Sequence, residues 1–160
     1  MSINLIRIDD RLIHGQVIIG WTRSIGINTI LVIDNEVIND KIQCSLLKMV
    51  TPVGVKSKIM SVDDAVSTIE NYEKNTDKTM ILVNHPKTIL ELVEKGVNIK
   101  EINVGNMRSS DNKIKLVSHV YATNEDIVIW KKLDELGVKM IAQILPDQQK
   151  IEINSVLEKI

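Results

Sequence analysis

Thr29–Ile33 reads TILVI, a stretch with four consecutive large aliphatic residues and no charge. A strand with one face in solvent would alternate apolar and polar residues, whereas a continuous apolar run indicates a strand covered on both faces. Thr79–Val83, which reads TMILV, has the same character. Strands buried on both faces are typical of a parallel sheet, so these two stretches decide the class of fold.

Other apolar runs occur along the chain, and amphipathic segments separate them. The predicted strands are Ile3–Ile8, Thr29–Ile33, Val55–Met60, Thr79–Val83, Glu101–Val104, Leu116–Tyr121 and Val138–Ile144. Parallel strands that alternate with helices are joined by right-handed crossovers. We therefore predict an α/β fold for residues 1–160, a single three-layer domain with a mostly parallel central sheet and helices on both faces.

Helices are predicted between these strands from start and stop signals and from apolar spacing. The signals are Ser61 with Asp64 and Tyr72, Pro86 with Gly96, and Thr123 with Gly137. Two apolar helical faces comprise Val17, Ile18, Trp21 and Ile25, and Ile42, Leu46, Met49 and Val50. A short terminal helix is expected within Ile153–Ile160.

Composition excludes several classes of protein. The chain has 20 Lys and Arg against 21 Asp and Glu, and this balance argues against a nucleic-acid partner, which would require a strongly basic face. No apolar run approaches the roughly 20 residues that span a bilayer, and no signal peptide is visible. The single cysteine, Cys44, cannot form an internal disulfide and is expected to be buried filler in an apolar helix.

Several familiar motifs are missing. The sequence has no GxGxxG after the first strand, no GxxxxGK[ST], no GxSxG and no HExxH. We therefore predict no dinucleotide or nucleotide site, no cofactor and no metal site. His85 could line a functional crevice, or it could be a polar loop residue before a helix. His119 lies in an apolar run and is expected to be a hydrogen-bonded residue of the sheet.

Ligands of open α/β sheets bind beyond the carboxyl ends of the strands, which directs attention to the loops there. These loops are Asp9–Gly15, Asp34–Asp40, Asn84–His85, Gly105–Asn112 and Pro146–Gln148. Two of these loops, Asp9–Gly15 and Gly105–Asn112, contain residues that could bind an anion.

The first loop lies in the sequence RIDDRLIHGQ, residues 7–16. His14 precedes a predicted helix, and Gly15 would let a ligand approach the backbone. The free N–H groups and positive dipole of the helix start would favour a phosphate on or near His14. Arg7 and Arg11 could offer forked donors to the same oxygens.

The ring of His14 needs one nitrogen free if it is to act as a nucleophile. Asp9 or Asp10 could accept a hydrogen bond from the other nitrogen. These are the parts of a phosphohistidine site. The alternative is that His14 is a structural or merely exposed histidine.

The second loop contains Gly105 and Asn106, a pair that tolerates positive φ and so favours a tight turn. Its backbone N–H groups could line an anion pocket that Arg108 would neutralise. The alternative is an ordinary surface turn.

Arg7–Val17 strongly resembles the active-site segment of the IIB component of the mannose/fructose/sorbose family of bacterial sugar phosphotransferase systems. Asn103–Arg108 resembles the Asn-Val-Gly-Gly-Met segment of that family. Gly137–Pro146 resembles its closing strand, with Gln143 and Pro146 similarly placed. Asn106 stands where many relatives have glycine, and we expect the turn to survive this change.

The resemblance implies a phosphocarrier with an α/β fold. His14 would accept a phosphoryl group from a histidine of a IIA component, on Nδ1 in the family. It would pass the group to a sugar carried by the membrane components IIC and IID. Arg7 and Arg11 would contact phosphate or a partner, and Asp9 or Asp10 would orient the ring or its loop. Gly15 and Gln16 belong to the same segment.

The resemblance also carries expectations about context. The protein is expected in the cytoplasm, recruited to the membrane by its transporter. The chain begins close to the motif, so a fused IIA domain is not expected, and a homo-oligomer is left open. Leu12, Ile13 and Met107 could form an exposed apolar rim for partners, or they could be buried.

Two rival functions remain open from the sequence. One is a non-enzymatic α/β module that binds a phosphorylated metabolite through the same anion pocket. The other is a small hydrolase that uses His14 and an aspartate. Covalent phosphate on the protein would separate a carrier from both.

Overall fold

The computed structural model describes residues 3–72, 74 and 76–160. The strands are β1 (Ile3–Ile8), β2 (Thr29–Ile33), β3 (Lys56–Met60), β4 (Thr79–Val83), β5 (Glu101–Val104), β6 (Ile114–Val117), β7 (Val120–Ala122), β8 (Lys139–Ala142) and β9 (Ile151–Glu152). The helices are α1 (Gly15–Ile25), α2 (Lys41–Val50), α3 (Val62–Tyr72), α4 (Pro86–Glu94), α5 (Asn124–Glu135) and α6 (Ile153–Leu157), and a short 3-10 helix spans Val37–Asn39.

Seven strands form the central sheet in the order β3-β2-β4-β1-β5-β8-β9. All neighbouring pairs are parallel except β8 with β9, which is antiparallel. The predicted mostly parallel sheet is confirmed. Because β1 lies between β4 and β5, the loops that follow these three strands meet at the middle of one sheet edge, where α/β proteins bind ligands.

Apolar cores cover both faces of the sheet, as the continuous runs predicted. All five residues of β2 and all five of β4 are buried. Alternate side chains point to opposite faces, so Leu31 and Ile81 join one core while Val32 and Leu82 join the other. The second core packs beneath α1 and α2, and the first beneath the remaining helices. The three predicted layers are confirmed.

The predicted strand Leu116–Tyr121 is wrong, because β6 and β7 instead form a separate antiparallel hairpin. His119 lies in the turn between them with a φ of 65°, and it is exposed. The expectation that His119 is a sheet residue is therefore also wrong. The sequence did not reveal this turn because residues 118 and 119, which form it, are neither glycine nor proline.

The second predicted apolar face lies on α2, but it does not pack on the sheet. Ile42 is 74% exposed and Met49 is 78% exposed, whereas Leu47 on the other side is buried. Cys44 is half-buried, with its Sγ 3.1 Å from the Val37 carbonyl oxygen. Cys44 was expected to be buried filler, and the structure buries it only in part.

Helix starts agree well with the capping signals. The Asp64 N–H donates to the Ser61 hydroxyl, and Pro86 opens α4. Thr123 and Asp126 form a reciprocal capping box at the start of α5. Within the described residues, no helix is both long and apolar enough to cross a membrane.

Candidate active site

The loop after β1 turns sharply and is held from below by two apolar side chains. The Leu12 N–H donates to the Asp9 carbonyl at 2.9 Å, and Leu12 has a φ of 58°. This left-handed conformation is unfavourable for a branched residue and persists only where packing fixes it. Leu12 and Ile13 are each 5% exposed, and Met107 is buried as well. These three residues are therefore anchors in the core and do not form an exposed rim.

His14 is exposed and immediately precedes α1 in an extended conformation. Its side chain does not cap the helix, and its ring has no hydrogen-bond partner in the described part of the chain. The first turn of α1 contains no acidic residue. The N–H groups of Gly15–Val17 have no partners within the helix, as is general for helix starts. An anion bound at the ring of His14 would meet these groups and the positive end of the helix dipole.

Gly15 and Gln16 lie beside His14 on the first turn of α1, and both are exposed. Gly15 has a φ of 30°, and a side chain added there would meet no atom within 4 Å. The space beside the backbone of Gly15 is therefore open.

Arg11 is held by Asp9 in a two-point contact. Arg11 Nε lies 3.0 Å from Asp9 Oδ1 and Nη2 lies 3.0 Å from Oδ2, while the Arg11 backbone N–H also donates to Oδ1. The Asp9 hydrogen bond raises the pKa of Arg11. Asp9 is 1% exposed and the Arg11 side chain 30%. The guanidinium is thus a fixed cation near the His14 loop, with Nη1 without a partner among the described residues.

Arg7 lies under the loop and is fully buried. Its guanidinium donates to the Asn103 side-chain oxygen, to the Gln143 carbonyl at 2.9 Å and to the Ile144 carbonyl at 3.1 Å. Its Nη2 is also 3.5 Å from Asp9 Oδ2. Burial lowers the pKa of Arg7 to about 10, which still leaves it charged at neutral pH.

The expectation that Arg7 contacts a phosphate is therefore not met. The partners of its guanidinium are a side chain of β5, two backbone carbonyls and Asp9, because the Arg7 side chain points into the sheet layer below the loop. Arg7 supports the site by fixing Asp9.

Three residues of this support were not singled out as functional from the sequence. Asn103 lies opposite Arg7 in the register of β1 and β5. Gln143 donates to the carbonyls of Pro146 and Gln148 at 3.1 and 3.0 Å. Trp21 donates to the Ile144 carbonyl at 2.8 Å, and its ring centroid lies 5.2 Å from Arg7 Cζ. Arg7 could have pointed to these residues from the sequence alone, because an arginine buried in an apolar strand needs hydrogen-bond acceptors on neighbouring strands.

Gly105 is required for a close approach. Its N–H donates to the Ile8 carbonyl at 2.8 Å. A Cβ at this position would lie 2.8 Å from Asp9 Oδ2 and closer still to the Arg7 guanidinium. The expected reason for the glycine was a positive φ, but neither Gly105 nor Asn106 has one. Glycine is needed at position 105 because any side chain would collide with Arg7 and Asp9.

Asp10 joins the loop after β1 to the loop after β5. It accepts hydrogen bonds from the Asn106 side chain at 2.8 Å, from the Arg108 backbone N–H at 2.8 Å and from Arg108 Nε at 3.0 Å. Burial acts to raise the pKa of Asp10, but these hydrogen bonds and the Arg108 charge outweigh it and lower the pKa. The Arg108 side chain is 68% exposed, so it tethers the loop from the surface.

Neither aspartate bonds to the ring of His14. Asp9 is engaged by Arg7 and Arg11, and Asp10 by Asn106 and Arg108. Direct orientation of the imidazole by an aspartate is thus not observed, and both carboxylates orient the loop instead.

His85 has a structural role at the start of α4. Its Nδ1 accepts the Lys87 backbone N–H at 3.0 Å, and its Nε2 lies 2.8 Å from Asp126 Oδ1. These contacts join the starts of α4 and α5. In the described ranges, no three His, Cys, Asp or Glu residues are grouped so that they could hold a metal ion.

Comparison with known proteins identifies the family. The model of the PTS system sorbose subfamily IIB component matches residues 3–160. The chain belongs to this family. The sorbose-specific EIIB component of Klebsiella pneumoniae is 33% identical over 153 residues, which cover 96% of this chain and 93% of the relative. The mannose-specific EIIAB component of Escherichia coli is 33% identical over 160 residues, all of this chain and 50% of that protein.

Solved structures agree with the assignment. The crystal structure of the IIBSor domain of the sorbose permease from Klebsiella pneumoniae has a TM-score of 0.90 at 31% identity, with 99% of this chain and 98% of that chain covered. EIIB components are phosphoryl-transfer carriers in sugar uptake, and they work with EIIA components and with membrane EIIC and EIID components. This EIIB chain is accordingly a phosphotransferase, and a non-enzymatic module that binds a phosphorylated metabolite is not favoured.

The structure of this EIIB chain gives Asn106 a role that glycine lacks. The Asn106 side chain donates one of the hydrogen bonds that hold Asp10. The asparagine therefore ties the loop after β5 to the His14 loop.

We expect Gly105→Ala to lower the free energy of unfolding by about 2–3 kcal/mol, because the new methyl group must displace the buried Arg7–Asp9 pair. Urea denaturation measures this change. Gly20→Ala is the matched control, since its Cβ would meet the end of the Leu145 side chain at 3.2 Å and Pro146 at 3.8 Å. Equal effects of the two substitutions would contradict the close approach at Gly105.

The lowered pKa of Asp10 predicts a pH dependence of stability. An unfolded aspartate has a pKa of about 3.9, so the unfolded state binds more protons as pH falls below about 5. The stabilisation from Asp10 is present above that range and is lost as pH falls through the lower, folded pKa. We expect Asp10→Asn to flatten the fall in unfolding free energy between pH ~5 and ~2.

Asn106→Ala tests the cause of this shift. It removes one hydrogen bond to Asp10 and should give a slope between those of the wild type and Asp10→Asn. Urea unfolding at a series of pH values supplies all three slopes. Identical slopes would show that the Asp10 contacts do not stabilise its carboxylate.

Proposed function

We propose that His14 is the residue that carries the phosphoryl group in this EIIB component. The observation that carries the proposal is an exposed imidazole with no partner among the described residues, at a helix start with free N–H groups, three residues after an arginine that Asp9 holds in place. We also propose that residues 1–160 form one IIB domain, as predicted from the sequence.

In the first transfer, a ring nitrogen of neutral His14 attacks the phosphorus of a phosphohistidine on the EIIA component. A new N–P bond forms at His14 while the N–P bond of the donor breaks. The donor imidazole takes up a proton as the other nitrogen of His14 releases one, so charge and protons balance. The resemblance assigns the attack to Nδ1.

Charge stabilisation falls to the helix start and to Arg11. The transition state of phosphoryl transfer is loose and anionic, so catalysis depends on positioning and electrostatics. Arg11 Nη1 and the N–H groups of Gly15–Val17 are the donors closest in sequence to the imidazole. Asp9 is a positioning residue, because it fixes the guanidinium of Arg11 and touches no reacting atom. Arg7 positions Asp9 in turn.

In the second transfer, a sugar hydroxyl oxygen attacks the same phosphorus. An O–P bond forms and the N–P bond at His14 breaks. The hydroxyl loses its proton as the imidazole takes one up, so His14 is again a neutral imidazole. We propose that the sugar is presented by the EIIC and EIID components, with the chain in the cytoplasm and recruited by them to the inner face of the membrane. Relatives named for sorbose, mannose, fructose and N-acetylgalactosamine suggest a hexose or an amino sugar.

We expect His14→Ala to abolish phosphorylation of the purified protein by phosphoenolpyruvate, the general phosphocarriers and a cognate EIIA. Mass spectrometry maps the acid-labile phosphate. His119→Asn is the matched control, because His119 is the other exposed histidine and asparagine tolerates its positive φ. Phosphate on a residue other than His14, or full labelling of His14→Ala, would exclude the proposed carrier residue.

We expect Arg11→Ala to slow transfer from EIIA about 100-fold, as loss of one preorganised donor typically does. The unfolding free energy should fall by only about 1–2 kcal/mol, because Asp9 retains Arg7 as its ion partner. Quench-flow labelling measures the rate. Arg23→Ala, an exposed arginine near the other end of α1, serves as the control. An unchanged rate for Arg11→Ala would remove Arg11 from the site.

A further inference from the structure

The outward side of α2 is a continuous stripe of large aliphatic side chains. The α2 stripe comprises Ile42, Leu46, Met49 and Val50 on the helix, and Val53 in the turn that follows. Their exposed fractions are 74%, 54%, 78%, 49% and 105%. On a helix, residues three and four apart are neighbours, so these side chains adjoin one another.

The α2 stripe differs from the other exposed aliphatic residues. Among the described residues, the remaining large ones are Ile114, Val128, Leu136 and Ile160, and no two of these lie three or four residues apart. Single exposed apolar residues are normal, whereas a contiguous apolar patch marks an interaction surface. Leu47 already anchors α2 to the core from its opposite side. The stripe is therefore not needed for packing within the domain.

The surroundings of the α2 stripe are basic. Residues 41–58 contain four lysines and no acidic residue, in a chain with a net charge of −1. Lys41 and Lys48 lie on α2, are exposed, and have no ion-pair partner within the described part of the chain. Arg23 of α1 lines the same groove as Val53. The nearest carboxylate, Asp40, caps α2 and accepts the N–H groups of Ile42 and Gln43.

We propose that the α2 stripe and its lysines dock on an anionic lipid surface. Aliphatic side chains on one face of a helix enter the interface between headgroups and acyl chains, and flanking lysines attract anionic phospholipids. EIIB components act with membrane EIIC and EIID components, so a lipid surface lies close to where this protein works. The proposal goes beyond phosphoryl transfer and does not depend on which residue carries the phosphate.

The positive charge around the α2 stripe favours an anionic lipid surface over a membrane-protein loop or a second copy of this chain. Cytoplasmic loops of membrane proteins carry an excess of Lys and Arg, which the basic surroundings of the stripe would repel. A second copy joined through the same face would bring its own Lys41 and Lys48 to the same patch. A protein partner typically binds aromatic or arginine anchors, and the α2 stripe contains neither.

The α2 stripe and His14 lie on different elements. The stripe faces away from the core that α1 and α2 cover, whereas His14 precedes α1 at the sheet edge where β1 ends. Docking through the stripe would therefore not use the side chain of His14.

Vesicle flotation with the full chain tests the proposal. We expect saturable binding to vesicles of equal parts phosphatidylglycerol and phosphatidylcholine, and little binding to phosphatidylcholine alone. Binding should weaken strongly at ~1 M salt, where the Debye length is about 3 Å. The double variant Leu46→Asp, Met49→Asp should lower the apparent affinity about tenfold or more. Val128→Asp with Leu136→Asp is the matched control and should bind as the wild type does.

A second pair of variants tests the charge. Lys41→Glu with Lys48→Glu should weaken binding and reduce its salt dependence, whereas Lys87→Glu with Lys132→Glu should change neither. All four of these lysines are exposed, so the substitutions leave the core intact. Urea unfolding confirms that each variant is folded.

Three results would overturn the proposal. The first is no binding to either kind of vesicle, or binding that the stripe variant does not weaken. The second is concentration-dependent self-association in sedimentation velocity that the stripe variant abolishes, which would assign the stripe to a second copy. The third is a stripe-dependent loss of affinity for purified EIIA without an effect on vesicles. His14 labelling by EIIA in solution is measured in parallel, so failure here is distinguishable from failure of the proposed function.

Discussion

Arg7 and Asp9 place opposite charges, both almost without exposure, at the carboxyl end of the central strand. A buried charge is strongly unfavourable unless hydrogen bonds and a counter-charge compensate for lost hydration. Asn103 and the carbonyls of residues 143 and 144 provide those hydrogen bonds from β5 and the end of β8. Gly105 leaves the space in which the pair fits. The buried charge of Arg7 on β1 thus requires hydrogen-bond acceptors and free space on the two segments beside it.

In the proposed mechanism, the contact of Asp9 with Arg11 accounts for a carrier that binds a phosphoryl group and still releases it. Asp9 offsets part of the positive charge of Arg11 while fixing its direction, so the guanidinium is oriented but its attraction for an anion is moderated by a buried carboxylate. Asp10 ties this loop to the loop after β5. In that mechanism the geometry is fixed by groups that do not touch the phosphate, and the imidazole itself has no side-chain bond within the described part of the chain.

The sequence was sufficient for the sheet because runs such as Thr29–Ile33 have one physical interpretation. The sequence was insufficient where it could not show which way a side chain points. The apolar spacing on α2 defined a face correctly but could not tell whether the core or solvent lay on that side. Arg7 had the charge expected of a phosphate ligand, yet only the register with Asn103 shows that its side chain points under the loop. The His119 turn was hidden inside an apolar run for a similar reason, since no glycine or proline marks it.

Leu12 combines an unfavourable backbone conformation with a buried side chain. The left-handed conformation costs about 1–2 kcal/mol for an ordinary residue, and burial of a leucine side chain contributes about 1.5–3 kcal/mol. Glycine at this position would relax the backbone but lose the stabilisation from leucine burial, which exceeds the backbone cost. The shape of the loop is therefore set by the hydrophobic layer beneath it. A substitution in that layer would therefore reach the polar residues of the loop through the backbone, without touching any of their side chains directly.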